Sequence, residues 1–337
     1  MRGRGAITTW AGRWGQPSWA LVLMVVTTGC DGCDESDRGA TGATPSASTA
    51  TPPVEPAPPE PEPEPVVMPE PRCPPDMVKV KPREPPGQGD PTRAYCVDRY
   101  ESMLVDDASG NRISPFYAPS RRQAQSTAKM WESERFEMGS PSAQGVPLPT
   151  LPAWQLQRDF EPRAISRKGV TPNGHVSGAQ ALVACRNAGK RLCTEGEWRT
   201  ACRSQHGWDF PYGPEYVQGT CNVFREAHPA MELHDDPSIG HSDPRLNRVT
   251  KNGKPLLRKT GATPECASEW DDDVIYDMVG NLDEWIDDPE GTFAGGFYAR
   301  SSKTGCAWMA DGHPFHYADY STGVRCCADL PSPTPIR

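Results

Sequence analysis

Long hydrophobic runs are missing from this 337-residue chain. The main apolar stretch, WALVLMVVTTG (residues 19–29), is too short to span a bilayer comfortably as a permanent helix. Aromatic residues are absent from Arg38 to Arg72, where proline, alanine, threonine and glutamate dominate. Such a segment cannot bury enough apolar surface to offset its ordering entropy, which excludes it from any core. A basic patch is absent and the formal net charge is -9, which speaks against nucleic acid as a partner. There is no Gly-x-Ser-x-Gly elbow, phosphate loop or dinucleotide fingerprint, so the common hydrolase and nucleotide-binding signatures are excluded. Cys-x-x-Cys spacing is missing from the part that can fold, which argues against a zinc-finger cluster.

What is present divides the chain into three parts. Arg2, Arg4 and Arg13 precede the apolar run, which small residues close before Cys30. A basic start, a short apolar core and a small-residue end describe an export signal over residues 1–29. The TTGC sequence is similar to a bacterial lipobox, although Thr27 stands where leucine is usual, and makes Cys30 the expected lipidation site. Residues 30–72 form the expected linker, with the Pro-Glu repeat Pro58–Pro65 an extended, self-repelling stalk. Residues 73–331 are long enough for one large domain. The expected address is extracytoplasmic, in the periplasm or at the cell surface, with the membrane reached through the anchor.

Twelve cysteines in an exported chain argue for disulfides. Cys30 is assigned to the lipid and Cys33 lies in the linker, which leaves ten. Two short strands, Met77–Val80 and Tyr95–Tyr100, lie between and around Cys73 and Cys96 and read as a bridged hairpin. From Asp106 to Arg167 no clear period appears. This insert reads mostly as loop, with a short helix from Ser120 to Glu134.

Two amphipathic helices follow. Ser177 with Gln180, and Thr194 with Glu197, are capping boxes. Ala181, Leu182 and Cys185 share one face of the first helix, and Gly189 suits its left-handed stop. Trp198, Ala201 and Cys202 share a face of the second. Few regular elements, many aromatics and paired cysteines indicate a loop-rich, disulfide-rich α+β domain.

The segment VIYDMVGNLDEWIDD (residues 274–288) sets a Gly280-Asn281 tight-turn pair among apolar residues, yet carries Asp277, Asp283 and Glu284. With AGKRLCTEGEW, FPYG, CNV, Gly295-Gly296 and STGVRC, in that order, it resembles the formylglycine-generating (sulfatase-modifying factor) family. The opening MVKV…YCVDRYE fits as well, whereas the insert is poorly matched. The resemblance implies a C-type-lectin-like fold with little regular secondary structure. It implies bridges Cys185–Cys326 and Cys202–Cys306; the remainder suggest Cys73–Cys96 and Cys221–Cys266, with Cys193 and Cys327 open.

The resemblance also implies structural calcium, held by the side chains of Asp277 and Glu284 and the carbonyls of Gly280 and Leu282. Hard oxygen ligands on an irregular backbone suit that ion. A second family site would begin at Asn222 and Val223, with Asp235 and Asp236 the nearest acids.

The catalytic pattern is where the resemblance fails. Oxidase members carry two cysteines in a GSYxCHxSYC-like segment after the Gly-Gly pair, and these hold copper(I), a soft metal. Here the stretch is GGFYARSSKTGCAW, with no cysteine between Gly296 and Cys306. Copper is therefore not expected, and the leading reading is a non-catalytic binding or scaffolding module for a peptide, protein or glycan. Its expected groove lies between the insert and residues 297–320, lined by Tyr298, Arg300, Trp308, His313, His316 and Tyr317. The alternative is an oxidoreductase of the formylglycine-generating type, another metal-dependent oxidase, or a cysteine-dependent activity at Cys193 or Cys327. HPAME (228–232) and HPFH (313–316) are weak metal candidates, and Pro229 makes a helix through the first awkward.

Overall fold

The computed structural model describes residues 70–224, 227–301 and 303–331. The expected signal segment, Cys30, Cys33 and nearly all of the linker lie outside them. The strands are β1 (Met77–Val80), β2 (Tyr95–Asp98), β3 (Ser102–Asp106), β4 (Pro162–Ser166), β5 (Arg191–Leu192), β6 (Thr250–Lys251), β7 (Lys254–Pro255), β8 (Ala267–Trp270), β9 (Asp273–Tyr276), β10 (Asp283–Trp285), β11 (Phe293–Ala294), β12 (Met309–Ala310), β13 (Thr322–Gly323) and β14 (Cys326–Asp329). The helices are α1 (Arg121–Glu134), α2 (Pro141–Gln144), α3 (Ala153–Gln157), α4 (Gly178–Asn187), α5 (Glu195–Cys202) and α6 (Pro229–His234).

Both ends of the domain meet in one antiparallel sheet, ordered β1-β2-β14-β5. The entirely buried β2 lies at its centre, with Val97 opposite Cys327 and Cys96 opposite Ala328. Successive residues of a strand face opposite ways. Cys326 and Cys327 therefore serve two cores, the first bridged to Cys185 on α4 and the second to Cys193. Cys202–Cys306, Cys221–Cys266 and Cys73–Cys96 complete the set. All the pairs that the sequence suggested are formed, and Cys193 with Cys327 closes the open one. Four bridges close loops of 45 to 141 residues. They tie a domain of short strands into one body, and each stabilises it by roughly 2–4 kcal/mol.

The second sheet, ordered β12-β11-β10-β13, carries the acid-rich segment in β10, which runs parallel to β13 and antiparallel to β11. Both capping boxes are present, at Ser177/Gln180 on α4 and at Thr194/Glu197 on α5. Trp198, Ala201 and Cys202 are buried as their spacing requires.

The insert is more regular than its sequence pattern suggests. Helix α1 matches the expected span, but α2 and α3 follow it, and β4 pairs with β3 from Ser102↔Ser166 to Asp106↔Pro162. Pro162 stands at the first position of β4, where a missing N–H is tolerated. Pro229 likewise begins α6, with His228 as its N-cap. Proline favours that first helical position because its N–H would have no partner there.

Candidate functional site: a buried acid turn and a guanidinium-filled groove

The turn after β9 places its acids inside the protein. Asp277, Gly280 and Asn281 have φ of 59°, 85° and 61°. Gly280 is required twice over, by that φ and by space, since a Cβ there would lie 2.3 Å from the Asn222 carbonyl oxygen. Asp277, Asp283 and Glu284 are all buried, as is Glu101 between β2 and β3.

What permits the burial of Glu101, Asp277 and Glu284 is Arg325, itself fully buried. Its Nε donates to both Glu284 oxygens at 2.9 Å, its Nη1 to the Asp98 carbonyl and its Nη2 to the Tyr276 carbonyl, each at 2.8 Å. The Trp198 indole donates to Glu284 Oε2 at 2.7 Å. Glu101 accepts from the Leu282 N–H and the Asn281 amide, and Asp277 accepts from the Gly261 N–H at 2.7 Å. Burial pushes the Asp277 carboxyl up to about 6 and that of Glu101 well above its usual range, and neighbouring carboxylates add to both shifts. Arg325 pulls both back.

Glu101, Asp277 and Glu284 gather around Arg325, with Arg258 also acting on Asp277, and their negative charges outnumber these guanidinium groups when all are ionised. A divalent cation would offset that excess. The oxygens are not equally available, because Glu284 is committed to Arg325 and Trp198, whereas one Asp277 oxygen meets a single backbone N–H. Among the described residues no three His, Cys, Asp or Glu side chains converge as a metal site.

The second expected calcium position lies beside cationic side chains. The Asn222 amide donates to the Leu256 carbonyl at 3.0 Å and to Asn281 Oδ1 at 2.9 Å. Val223 lines a cavity whose wall carries Lys251, Lys254 and Arg258. Asp235 is exposed, and the half-buried Asp236 accepts from Ser238. In the nearby acidic loop, Asp271 pairs with Lys81 and Asp273 with Arg99.

The expected ligand groove is changed in two ways. Tyr298 does not line it. The ring is fully buried and its hydroxyl donates to Asn247 Oδ1 at 3.0 Å. The insert meets this segment inside one core, through Phe160 and Trp154, and the cavities it lines are shared with α4 and with the segment running from α6 to β6. Arg300, Trp308, His313 and Tyr317 do cluster, half-buried, with His316 exposed beside them. The Arg300 guanidinium lies 4.6 Å from the Trp308 ring centroid and 4.8 Å from that of Phe297. Its Nη2 donates to Asp283 Oδ2 at 3.0 Å. Asp283 is fully buried, Oδ1 has no hydrogen-bond partner among the described residues, and burial raises its carboxyl to about 7. His313 packs edge-on against Phe293 and Tyr317, and the Tyr317 hydroxyl donates to Asp319 at 2.6 Å. HPFH thus presents one packed and one exposed histidine. In HPAME, His228 caps α6 and Glu232 pairs with Lys251.

Sequence reasoning missed Glu101, Asp283 and Arg325 as site residues. The signal for Arg325 was available: a lone cation between Val324 and Cys326, in a segment otherwise built to be buried, needs an acid nearby.

A family model described as the sulfatase-modifying factor enzyme 1-like domain matches residues 153–330, just over half of the chain. A formylglycine-generating enzyme of Thermomonospora curvata is 30% identical over 189 residues, which cover 47% of this chain and 61% of the relative. One from Streptomyces coelicolor is 33% identical over 110 residues, covering 31% and 34%. The chain therefore spans about three fifths and one third of these relatives' own lengths. Among solved structures, CarF aligns at 14% identity and a TM-score of 0.35 over 76% of this chain and 97% of its own. PvdO from Pseudomonas aeruginosa aligns at 13% and 0.30 over 75% and 91%.

Proposed function

Since the chain belongs to the sulfatase-modifying factor enzyme 1-like domain family, we propose that it is a non-catalytic member, a binding or scaffolding module for a peptide, protein or glycan. The observation that carries this reading is the content of the segment after Gly295-Gly296. The resemblance implies that oxidases hold copper there between two thiolates. Here Arg300 lies between Phe297 and Trp308 and is tied to Asp283, while Cys306 is bridged to Cys202. Every cysteine among the described residues is in a disulfide. The donor set is hard and cationic where a soft metal needs sulfur, so the residues present do not fit copper.

The half-exposed Trp308 ring against the Arg300 guanidinium, with the half-exposed Phe315 and Tyr317 rings packed in the same cluster, is suited to an extended peptide or a sugar face. A sulfatase-derived cysteine peptide, titrated into the protein, should bind and be recovered unoxidised. Trp308→Ala should weaken binding about tenfold or more, because a central aromatic anchor is worth about 2 kcal/mol or more. Equal binding by the variant would count against this surface.

The same reading includes a structural calcium ion at the acid turn, supported by the charge excess around Arg325. Asp277 offers a side-chain oxygen, with the carbonyls of Gly280 and Leu282; Glu284, the other acid that the resemblance implies, is held by Arg325 and Trp198, and both Glu101 oxygens accept hydrogen bonds. Chelation should lower the melting temperature by several degrees, since an ion that binds only the folded state stabilises it by mass action. A melting curve unchanged by chelator would remove the ion from the account. It also includes export and lipidation at Cys30, with residues 30–72 as the stalk that carries domain 73–331 away from a membrane. Mass spectrometry of the mature N-terminus tests that part.

A further inference from the structure

The chain is acidic overall and its sequence suggested no basic patch, yet from Arg248 to Lys259 it carries Arg248, Lys251, Lys254, Arg258 and Lys259 and no acid, a local cluster that the net charge hides. Asn252 and Gly253, at φ of 53° and 72°, form the two-residue turn that joins β6 to β7. Both central residues need positive φ in the tight turn that matches strand twist, and Asn-Gly meets that need. The hairpin so formed is exposed and holds Lys251, Asn252 and Lys254 over a cavity of about 340 Å³.

The floor of this cavity is apolar. Cys221, Val223, Ala227 and Leu256 are buried there and Phe224 is half-buried. Arg258 on its wall is held in place, its Nη1 on Thr263 Oγ1 at 3.0 Å and its backbone N–H on Asn281 Oδ1 at 2.9 Å. Lys251 reaches out to the half-exposed Glu232 at 2.6 Å. Lys303 lies 4.6 Å from the Phe224 ring centroid and brings a further positive charge to the floor aromatic. The described lining residues include three cations and no acid.

We propose that this cavity binds a small amphiphilic oxyanion, a sulfate, phosphate or carboxylate group on a compact apolar body. Lys254 and Arg258 receive the charged head. The surface of Val223, Phe224 and Leu256 covers the body. Neither half suffices, because a neutral apolar molecule leaves the cations unmatched and a bare inorganic anion leaves the floor in contact with water. The volume lies at the lower end of the range for ligand sites, which sets the size of the occupant. The cavity occupies the place where the resemblance implies a second calcium ion, with the opposite charge preference. It shares no lining residue with the Trp308 surface and is independent of the function proposed there.

Naphthalene-2-sulfonate is a suitable probe, titrated calorimetrically into the full chain. Saturable one-to-one binding is expected. Lys254→Glu should weaken it at least tenfold with the melting temperature unchanged, since Lys254 is exposed. Lys254→Ala should weaken it in the same direction, and serves if the glutamate variant is unstable. 2-Naphthalenemethanol and inorganic sulfate should each bind at least tenfold more weakly than the sulfonate. Trp308→Ala, which disables the other surface, should keep the wild-type affinity. The proposal is overturned by the absence of saturable binding up to millimolar probe. It is equally overturned by Lys254 variants of unchanged affinity, or by either control compound binding as well as the sulfonate.

Discussion

Arg325→Met should destabilise the domain by about 3–5 kcal/mol, the cost of removing one partner of a buried ion pair. Arg325 neutralises Glu284 directly and acts on Glu101 and Asp277 through space. Methionine fills part of the volume but takes away the guanidinium that three buried carboxylates share. It also strips donors from the Asp98 and Tyr276 carbonyls. The fall in melting temperature should be on the order of 10 °C. The loss should deepen as pH rises. Asp277 and Glu101 already have raised carboxyl values, so their protonated forms favour the folded state and that contribution is lost as pH rises through about 6 and beyond. Adding Glu284→Gln should recover part of the loss, because it removes one of the orphaned charges. Denaturant melts of the two variants at pH 5 and pH 8 check this. A single-variant loss under about 0.5 kcal/mol would mean that the acid turn is held by something other than this guanidinium.

The second large effect is expected from the bridges. Replacing both Cys185 and Cys326 by alanine should cost about 2–5 kcal/mol, more than replacing Cys73 and Cys96. The first pair closes a sequence separation of 141 residues and the second 23. On chain entropy alone that difference is worth about 1.5 kcal/mol. Burial points the same way, since Cys185 and Cys326 are both fully buried while Cys73 is half-exposed. Cys326 also joins the last strand to α4, so its loss loosens the sheet that holds both ends of the domain. Paired alanine variants avoid stray thiols. Equal stability for the two variants would place the domain's strength in its cores and not in its cross-links.

Much of this architecture could be read from local signals. Ser177 with Gln180 and Thr194 with Glu197 fix helix starts within four residues, and the helices are where those pairs put them. The Gly280-Asn281 turn was readable for the same reason, since positive φ is a local demand. The pairing of β3 with β4 was not, because Pro162 and an irregular flank hide a strand whose partner lies about 60 residues earlier. The acid turn was half legible. Its acids stood out against apolar neighbours, but the groups that satisfy them come from far away in sequence, Arg325 from 41 residues beyond Glu284 and Glu101 from about 180 before Asn281. Tyr298 was misplaced because a tyrosine beside Gly-Gly looks like a surface ring. Its hydroxyl in fact finds Asn247 in the interior, which makes burial affordable.

The disulfides use the sulfur of the domain as fasteners, and the proposed function has Arg300 standing where the oxidases that the chain resembles hold copper. The most direct measurement is a thiol count on the purified protein, native and then denatured without reductant, with copper analysis of the same sample. The account predicts no titratable thiol from the ten cysteines between Cys73 and Cys327, and no bound copper. Two reactive thiols in that span, together with stoichiometric copper and conversion of a sulfatase-type cysteine peptide to its aldehyde, would contradict it.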